Sequence, residues 1–254
     1  MGALRVTTLP ILSDNYAYLL EWDDGMAVVD PGEGEPVLEA VLAVGKPLEA
    51  ILLTHYHGDH VAGLETVSRG AGCSMVLGPA EGKLPSVTRP MADGDHLALG
   101  PCDFQVMSTP GHSRSDTSLY AEAEGIVFVG DTMFCGGCGR MFEGPPETFH
   151  RSLQRLAALP EDTMMFCGHE YTLDNLAFTR SLNWRGEEVA RRLAAVNEGL
   201  AAGCPSVPST IGEEMRTNPF LNVGDVGLQR ILGAESDGMD AEVFARLRKR
   251  KDQF

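Results

Sequence analysis

Three imidazoles and a carboxylate fall within six residues in Thr54-His55-Tyr56-His57-Gly58-Asp59-His60. Neutral imidazole nitrogen and carboxylate oxygen are ligands for divalent zinc, manganese and iron, and so many together are costly to bury without a cation. Neighbouring side chains in a loop point different ways, so His55 and His57 can address one ion while Asp59 and His60 address another. A two-ion site needs further ligands and at least one bridge. Candidates stand in similar contexts: His112 in Thr109-Pro110-Gly111-His112-Ser113, Asp131 in Val129-Gly130-Asp131-Thr132, and His169 in Cys167-Gly168-His169-Glu170. Each follows an expected strand and has a glycine beside it. A lone histidine is ordinarily a hydrogen-bonded surface or core residue. Here five of the seven histidines lie in these motifs, leaving His96 and His150, and the concentration points to a metal site.

The elements that must position these residues read as short apolar runs cut by Gly, Pro and Asp. Leu4 to Leu9, Tyr16 to Leu20, Met26 to Val29, Ala50 to Leu53, Ser74 to Leu77, Phe104 to Met107, Ser118 to Tyr120 and Ile126 to Val129 have strand length and turn punctuation. The run Ala50 to Leu53 leads directly into the first histidine motif, so a buried strand delivers its ligands at a sheet edge. Helical spacing appears at Pro36 to Val44 and at Thr148 to Leu159, the latter preceded by Pro145 and Pro146 and stopped by Pro160. From about Leu173 onward no strand is evident. Leu173 to Leu182, Glu187 to Ala202 and Asp240 to Arg250 read as helices, with a connector from Cys204 to Thr210. The pattern predicts layered strands and helices followed by a small helical part.

Composition narrows the partners. The 254 residues, 43% hydrophobic, are enough to bury a sizeable core. Twenty basic against 36 acidic residues give a net charge of −16, which repels phosphate backbones and anionic membranes. No apolar run approaches the ~18 residues of a membrane span. Six scattered cysteines in a chain of this length fit a reducing, cytoplasmic setting. Arg246, Arg248, Lys249, Arg250 and Lys251 crowd the last helix, where they cap the negative end of a helix dipole or meet an anion.

The Thr-His-x-His-x-Asp-His run with its downstream His, Asp and His resembles the metallo-β-lactamase superfamily. The rest of the chain is similar to the glyoxalase II, or hydroxyacylglutathione hydrolase, family over nearly its whole length. The residues that carry this are Leu9-Pro10, Asp14-Asn15-Tyr16, Gly137 to Gly144, Cys167 to Thr172, Val207 to Thr210, Asn218-Pro219-Phe220 and Lys251 to Phe254. The resemblance implies an α/β fold, a four-layer αββα sandwich, with a catalytic domain over 1–170 and a helical substrate-binding domain over 171–254. It implies two divalent ions, zinc first and iron or manganese as alternatives. His55, His57 and His112 would hold one ion, Asp59, His60 and His169 the other, with Asp131 bridging. Asp59 and Asp131 would be the catalytic carboxylates. Arg140, Met141, Phe142, Tyr171, Arg248 and Lys251 would bind glutathione; the family often has Lys and Tyr where Arg140 and Phe142 stand.

The implied reaction is hydrolysis of S-D-lactoylglutathione to glutathione and D-lactate by a hydroxide bridging the ions, the second step of methylglyoxal detoxification. The expected protein is a cytoplasmic monomer without nucleic-acid or membrane partners. Other enzymes of the superfamily, an RNA phosphodiesterase and a non-catalytic metal-binding protein are the competing classes. The Cys135 and Cys138 pair lacks the second pair a zinc knuckle needs and reads as small residues in a tight loop.

Overall fold

The strand Asn15–Glu21 is buried along all but its last residue, which requires covering layers on both its faces. The computed structural model describes residues 4–81, 84–234 and 240–254. By compactness the chain forms two units, Met1–Ser108 with Ser115–Gly130, and Thr109–Arg114 with Asp131–Phe254.

The first unit contains β1 (Arg5–Ile11), β2 (Asn15–Glu21), β3 (Met26–Val29), α1 (Gly34–Val44), β4 (Leu48–Leu52), α2 (Gly58–Val61), α3 (Leu64–Ala71), β5 (Val76–Pro79), β6 (Arg89–Met91), β7 (His96–Leu99), β8 (Cys102–Ser108), β9 (Thr117–Ala121) and β10 (Ile126–Gly130). Strands β1 to β6 form one sheet in sequence order, antiparallel through β3 and parallel from β3 to β6. Because successive side chains alternate across a strand, β2 sends Ala17 and Leu19 into a cluster with Val37 and Val41 of α1 and Leu64 and Val67 of α3. Tyr18 takes the other face and meets Phe128 of β10 at 5.3 Å between ring centres. Strands β7 to β10 are antiparallel neighbours, so Phe128 belongs to a second sheet.

The second unit contains β11 (Met133–Phe134), β12 (Gly137–Cys138), α4 (Pro146–Ala157), β13 (Met164–Cys167), α5 (Thr172–Ser181), α6 (Gly186–Ala201), β14 (Ser209–Thr210), α7 (Ile211–Thr217), a 3-10 turn (Pro219–Leu221), α8 (Val226–Ile231) and α9 (Asp240–Asp252). Its helices close on four fully buried phenylalanines: Phe149 meets Phe244 at 5.5 Å, Phe244 meets Phe220 at 5.9 Å and Phe220 meets Phe178 at 6.3 Å.

The region past Leu173 departs from its expected strand-free, loosely connected form. Ser209 pairs with Met165 as a short antiparallel strand, and α7, the 3-10 turn and α8 occupy residues 211–231, between the expected connector and the expected last helix, where no element was expected. These helices are too short for apolar periodicity to register, but their caps are legible. The Thr210 hydroxyl accepts from the Glu213 amide at 3.1 Å and Asp225 accepts from the Leu228 amide at 2.9 Å. Among the described residues no helix is long and apolar enough to cross a membrane.

Candidate metal centre

Strands β3 and β4 run parallel with Val29 opposite Leu52, so the residues following them emerge side by side. From β3 comes Asp30, 3% exposed and left-handed at φ 50, a conformation aspartate tolerates. From β4 come Thr54, His55 and His57, and then α2 with Asp59 and His60. Asp30 Oδ1 accepts from the Thr54 amide at 2.8 Å, and Oδ2 accepts from the Thr54 hydroxyl at 2.6 Å and from His60 Nδ1 at 3.0 Å. Thr54 gives its one hydroxyl proton to Asp30, so its oxygen accepts from His55 Nδ1, 3.0 Å away. One carboxylate thus holds the ring proton of two histidines on Nδ1 and leaves Nε2 as the ligating atom of each.

Around this core, His60 Nε2 lies 3.7 Å from Asp59 Oδ2, and that oxygen accepts from Asn15 Nδ2 at 2.9 Å. The His55 ring packs 4.2 Å from His60 and 4.8 Å from His57. Gly130 has φ 49, and a Cβ there would lie 2.3 Å from Thr54 Oγ1, so the glycine is needed for close passage. All four ligand candidates of the first motif therefore gather at one strand end, and Asp30, Thr54 and Asn15 join them. Their signal was present, since Asp30 ends an apolar run adjacent to the one that carries the motif, but the adjacency is a matter of strand order.

Asp30→Asn is expected to weaken metal binding about 10- to 100-fold while the protein still folds. The amide would offer hydrogens where His60 Nδ1–H needs an acceptor, favouring the tautomer that protonates Nε2. Metal titration of the metal-free protein checks this; affinity equal to wild type would refute the role of Asp30.

In the second unit, His112 Nε2 and His169 Nε2 lie 3.4 and 3.3 Å from the same oxygen, Asp131 Oδ2. His112 Nδ1 donates to the Arg140 carbonyl at 3.0 Å, again leaving Nε2 to ligate. Donors bonded at ~2.0–2.2 Å to a tetrahedral ion stand about 3.4 Å apart, so each of the two histidine–carboxylate pairs has the spacing of two donors to a divalent ion of the zinc class. Gly139 allows it: a Cβ there would sit 2.1 Å from the Asp131 carbonyl and 3.0 Å from His112 Nδ1. Tyr171 stacks on His169 at 4.7 Å, and Phe134 meets both rings edge-on at 5.2 and 5.7 Å. Phe142, 62% exposed, stands edge-on to His112 at 5.3 Å.

The cations expected at the substrate are also in this unit. Arg140 is exposed and Met141 half-buried beside Phe142. Arg248 is 4% exposed; Nη1 donates to the Cys138 carbonyl at 3.0 Å, and Nε and Nη2 approach Asp252 at 3.1 and 2.9 Å. Lys251 donates to the Asp174 carbonyl at 3.2 Å. Burial lowers its pKa from the ordinary lysine value, and the Arg248 and Arg140 charges lower it further against the pull of Asp174 and Asp252. Cys135 and Cys138 are fully buried. The Cys167 thiol and burial hold the Cys135 pKa well above a thiol's ordinary value, and burial pushes Cys138 to about 11, so both pack as neutral thiols. His96 pairs with Asp103 at 2.8 Å on the surface of the first unit, and His150 lies against Phe244.

Comparison with known proteins bears on these arrangements. Residues 12–169 match the family model of the metallo-beta-lactamase superfamily, and residues 170–254 that of the hydroxyacylglutathione hydrolase C-terminus. A hydroxyacylglutathione hydrolase from Pseudomonas entomophila is 42% identical, with 99% of this chain and 100% of the relative covered. One from Rhodospirillum rubrum is 39% identical, with 100% of each covered. Among solved structures, ETHE1 from Myxococcus xanthus has a TM-score of 0.69 at 23% identity over 96% of this chain and 90% of that one, a likeness of fold. TTHA1623 in a di-iron-bound form has a TM-score of 0.60 at 28% identity, over 85% of this chain and all of that one.

Proposed function

The chain belongs to the hydroxyacylglutathione hydrolase family of the metallo-β-lactamase superfamily, and from that premise we propose that it hydrolyses S-(2-hydroxyacyl)glutathione thioesters, S-D-lactoylglutathione foremost, in methylglyoxal detoxification. The observation that carries the reading beyond the superfamily is the match of residues 170–254 to the hydroxyacylglutathione hydrolase C-terminus, the stretch that supplies Arg248 and Lys251 to the unit holding His112, Asp131 and His169. A thioester of glutathione brings two carboxylates and needs positive charge near it.

The chain binds divalent metal through its His and Asp clusters. We assign His55, His57 and His112 to one ion and Asp59, His60 and His169 to a second, with Asp131 between them, and zinc ahead of iron or manganese. The di-iron form of TTHA1623 supports two ions in this fold. Such ions, when bound, lower the pKa of a shared water from 15.7 toward ~7 and polarise the thioester carbonyl. The residues do the rest. Asp30 and Thr54 hold two imidazoles in their ligating tautomers, Asn15 fixes Asp59 so that it orients the nucleophile, and Tyr171 and Phe142, against the rings of His169 and His112, bind the glutathione part. Glutathione leaves as a thiolate and asks for no strong general acid.

By function we divide the chain into a catalytic part, 1–170, and a helical substrate-binding part, 171–254, one residue past the point where the two family models meet. Six free thiols support a cytoplasmic location, and the −16 charge supports a protein without nucleic-acid or membrane partners. A monomer completes this reading, since each chain carries a full ligand set.

The test is a thioesterase assay across several acyl glutathiones with metal content measured on the same sample; no turnover of any of them by metal-loaded protein rejects the reading. Lys251 supplies a finer prediction. Bound carboxylate stabilises its charged form, so kcat/KM should fall as pH rises through the lowered pKa of the free enzyme, below the ordinary lysine value of ~10.4, while kcat stays flat. Lys251→Met should remove that alkaline limb and raise KM about tenfold. An unchanged KM and limb would remove Lys251 from the substrate site.

A further inference from the structure

The hairpin of β11 and β12 has strands of two residues each, with Met133 opposite Cys138 and Phe134 opposite Gly137. Such a ladder is too short to hold its own shape in water. It runs on through Gly139 into Arg140, whose carbonyl orients His112, and then into Met141 and Phe142. What holds it is a set of side chains from separate helical segments, each bonded to a backbone group of the hairpin. Asn175 of α5 donates to the Cys135 carbonyl at 3.1 Å. Glu214 of α7 accepts from the Gly136 amide at 2.7 Å. Asn218, at the start of the 3-10 turn, donates to the Gly137 carbonyl at 2.8 Å, and Arg248 of α9 takes the Cys138 carbonyl.

Glu214 is the hub. It is fully buried, and its Oε2 also accepts from Asn218 Nδ2 at 3.2 Å. Its Oε1 accepts from Ser209 Oγ at 2.6 Å and from the guanidinium of Arg192, itself 9% exposed. A buried carboxylate without such a partner would be expelled or neutralised, so Arg192 keeps Glu214 able to accept from Gly136. The hairpin has no slack against these helices, because a Cβ at Gly137 would meet the Asn175 side chain at 2.6 Å.

We propose that Glu214, together with Asn175 and Asn218, is a positioning residue for the substrate: the helices grip the 133–138 hairpin and thereby place Arg140, Met141 and Phe142. The inference rests on the thioesterase reading only for what the loop binds. Arg248 acts on the same loop through Cys138 as well as through its charge.

Two variants test it. Glu214→Gln keeps an acceptor for Arg192 and Ser209 but turns a donor toward Gly136 N–H and Asn218. Asn175→Ala removes one bond and leaves the Arg192 pair intact, so it serves if the first variant does not fold. Each is read by hydrogen–deuterium exchange of residues 134–142 and by KM and kcat for S-D-lactoylglutathione. Loss of about one hydrogen bond should raise loop exchange and KM each about tenfold, with kcat within about threefold and with α4 and α6 exchanging as in wild type. Unchanged loop exchange in both variants would overturn the proposal. So would exchange that rises equally throughout α4 to α9, because Glu214 would then merely hold the helices together. If the wild-type protein does not cleave the thioester, the substrate reading fails by that result alone, and loop exchange still decides whether the clamp exists.

Discussion

Asp131→Ala is expected to abolish loading of a second metal equivalent and to lower thioesterase turnover by on the order of 10³-fold or more. Two imidazole nitrogens approach Asp131 Oδ2 at 3.3 and 3.4 Å, and the carboxylate is the anionic member of that donor set. Removing it takes away a ligand and a negative charge together. At 7% exposure Asp131 has little solvent to replace it. Asp131→Asn separates the two losses, since it keeps a carbonyl oxygen of the same reach without the charge. Elemental analysis and the thioester assay on the same preparations check the outcome, with a melting curve to establish folding. Two metal equivalents retained at full rate in the alanine variant would sink the bridging role.

The second large effect is a contrast between two glycines. Gly139→Ala should cut metal affinity about 10- to 100-fold and destabilise the fold by ~1–3 kcal/mol, because the new methyl would lie 2.1 Å from the Asp131 backbone oxygen and 3.0 Å from His112 Nδ1. Neither neighbour can yield without moving a ligand. Gly58 sits inside the histidine motif, yet a Cβ there has nothing within 4 Å. Gly58→Ala should therefore leave metal content unchanged and stability within about 0.5 kcal/mol of wild type, since Gly58 opens a four-residue helix. Metal titration and thermal melting of both variants decide it. Equal losses at Gly58 and Gly139 would show that motif membership matters more than the space around Cα.

Much of the site was legible because metal chemistry is written in residue types. Imidazoles and carboxylates at short spacing after an apolar run have few other uses, so the candidate ligands of the first motif and those downstream could be named from the sequence. The apolar strands β2 and β3 and the helices α1, α4, α5, α6 and α9, each of ten residues or more, were legible for a similar reason, since an apolar run or a repeated helical face marks them. The β11–β12 hairpin and β14, with strands of two residues, and α7 and α8, with two helical turns or fewer, repeat no pattern, although Thr210 and Asp225 mark the caps of the two helices.

Residue types and local spacing by themselves determined the ligand chemistry, the strand that delivers the first motif and the basic character of the last helix. Local sequence cannot say which distant residue supplies a ligand's hydrogen-bond partner. Asp30 reaches Thr54 across 24 positions because β3 and β4 pair in parallel. Arg248 reaches Cys138 across 110, which turns a residue read for its charge into one that also holds a loop. Glu214 looked like one acid among 36, and only packing around Arg192 made it a buried acceptor for Gly136. Such roles arise because every buried polar group must find its partner wherever the folded chain brings one within reach, and the fold, not spacing along the chain, sets that proximity.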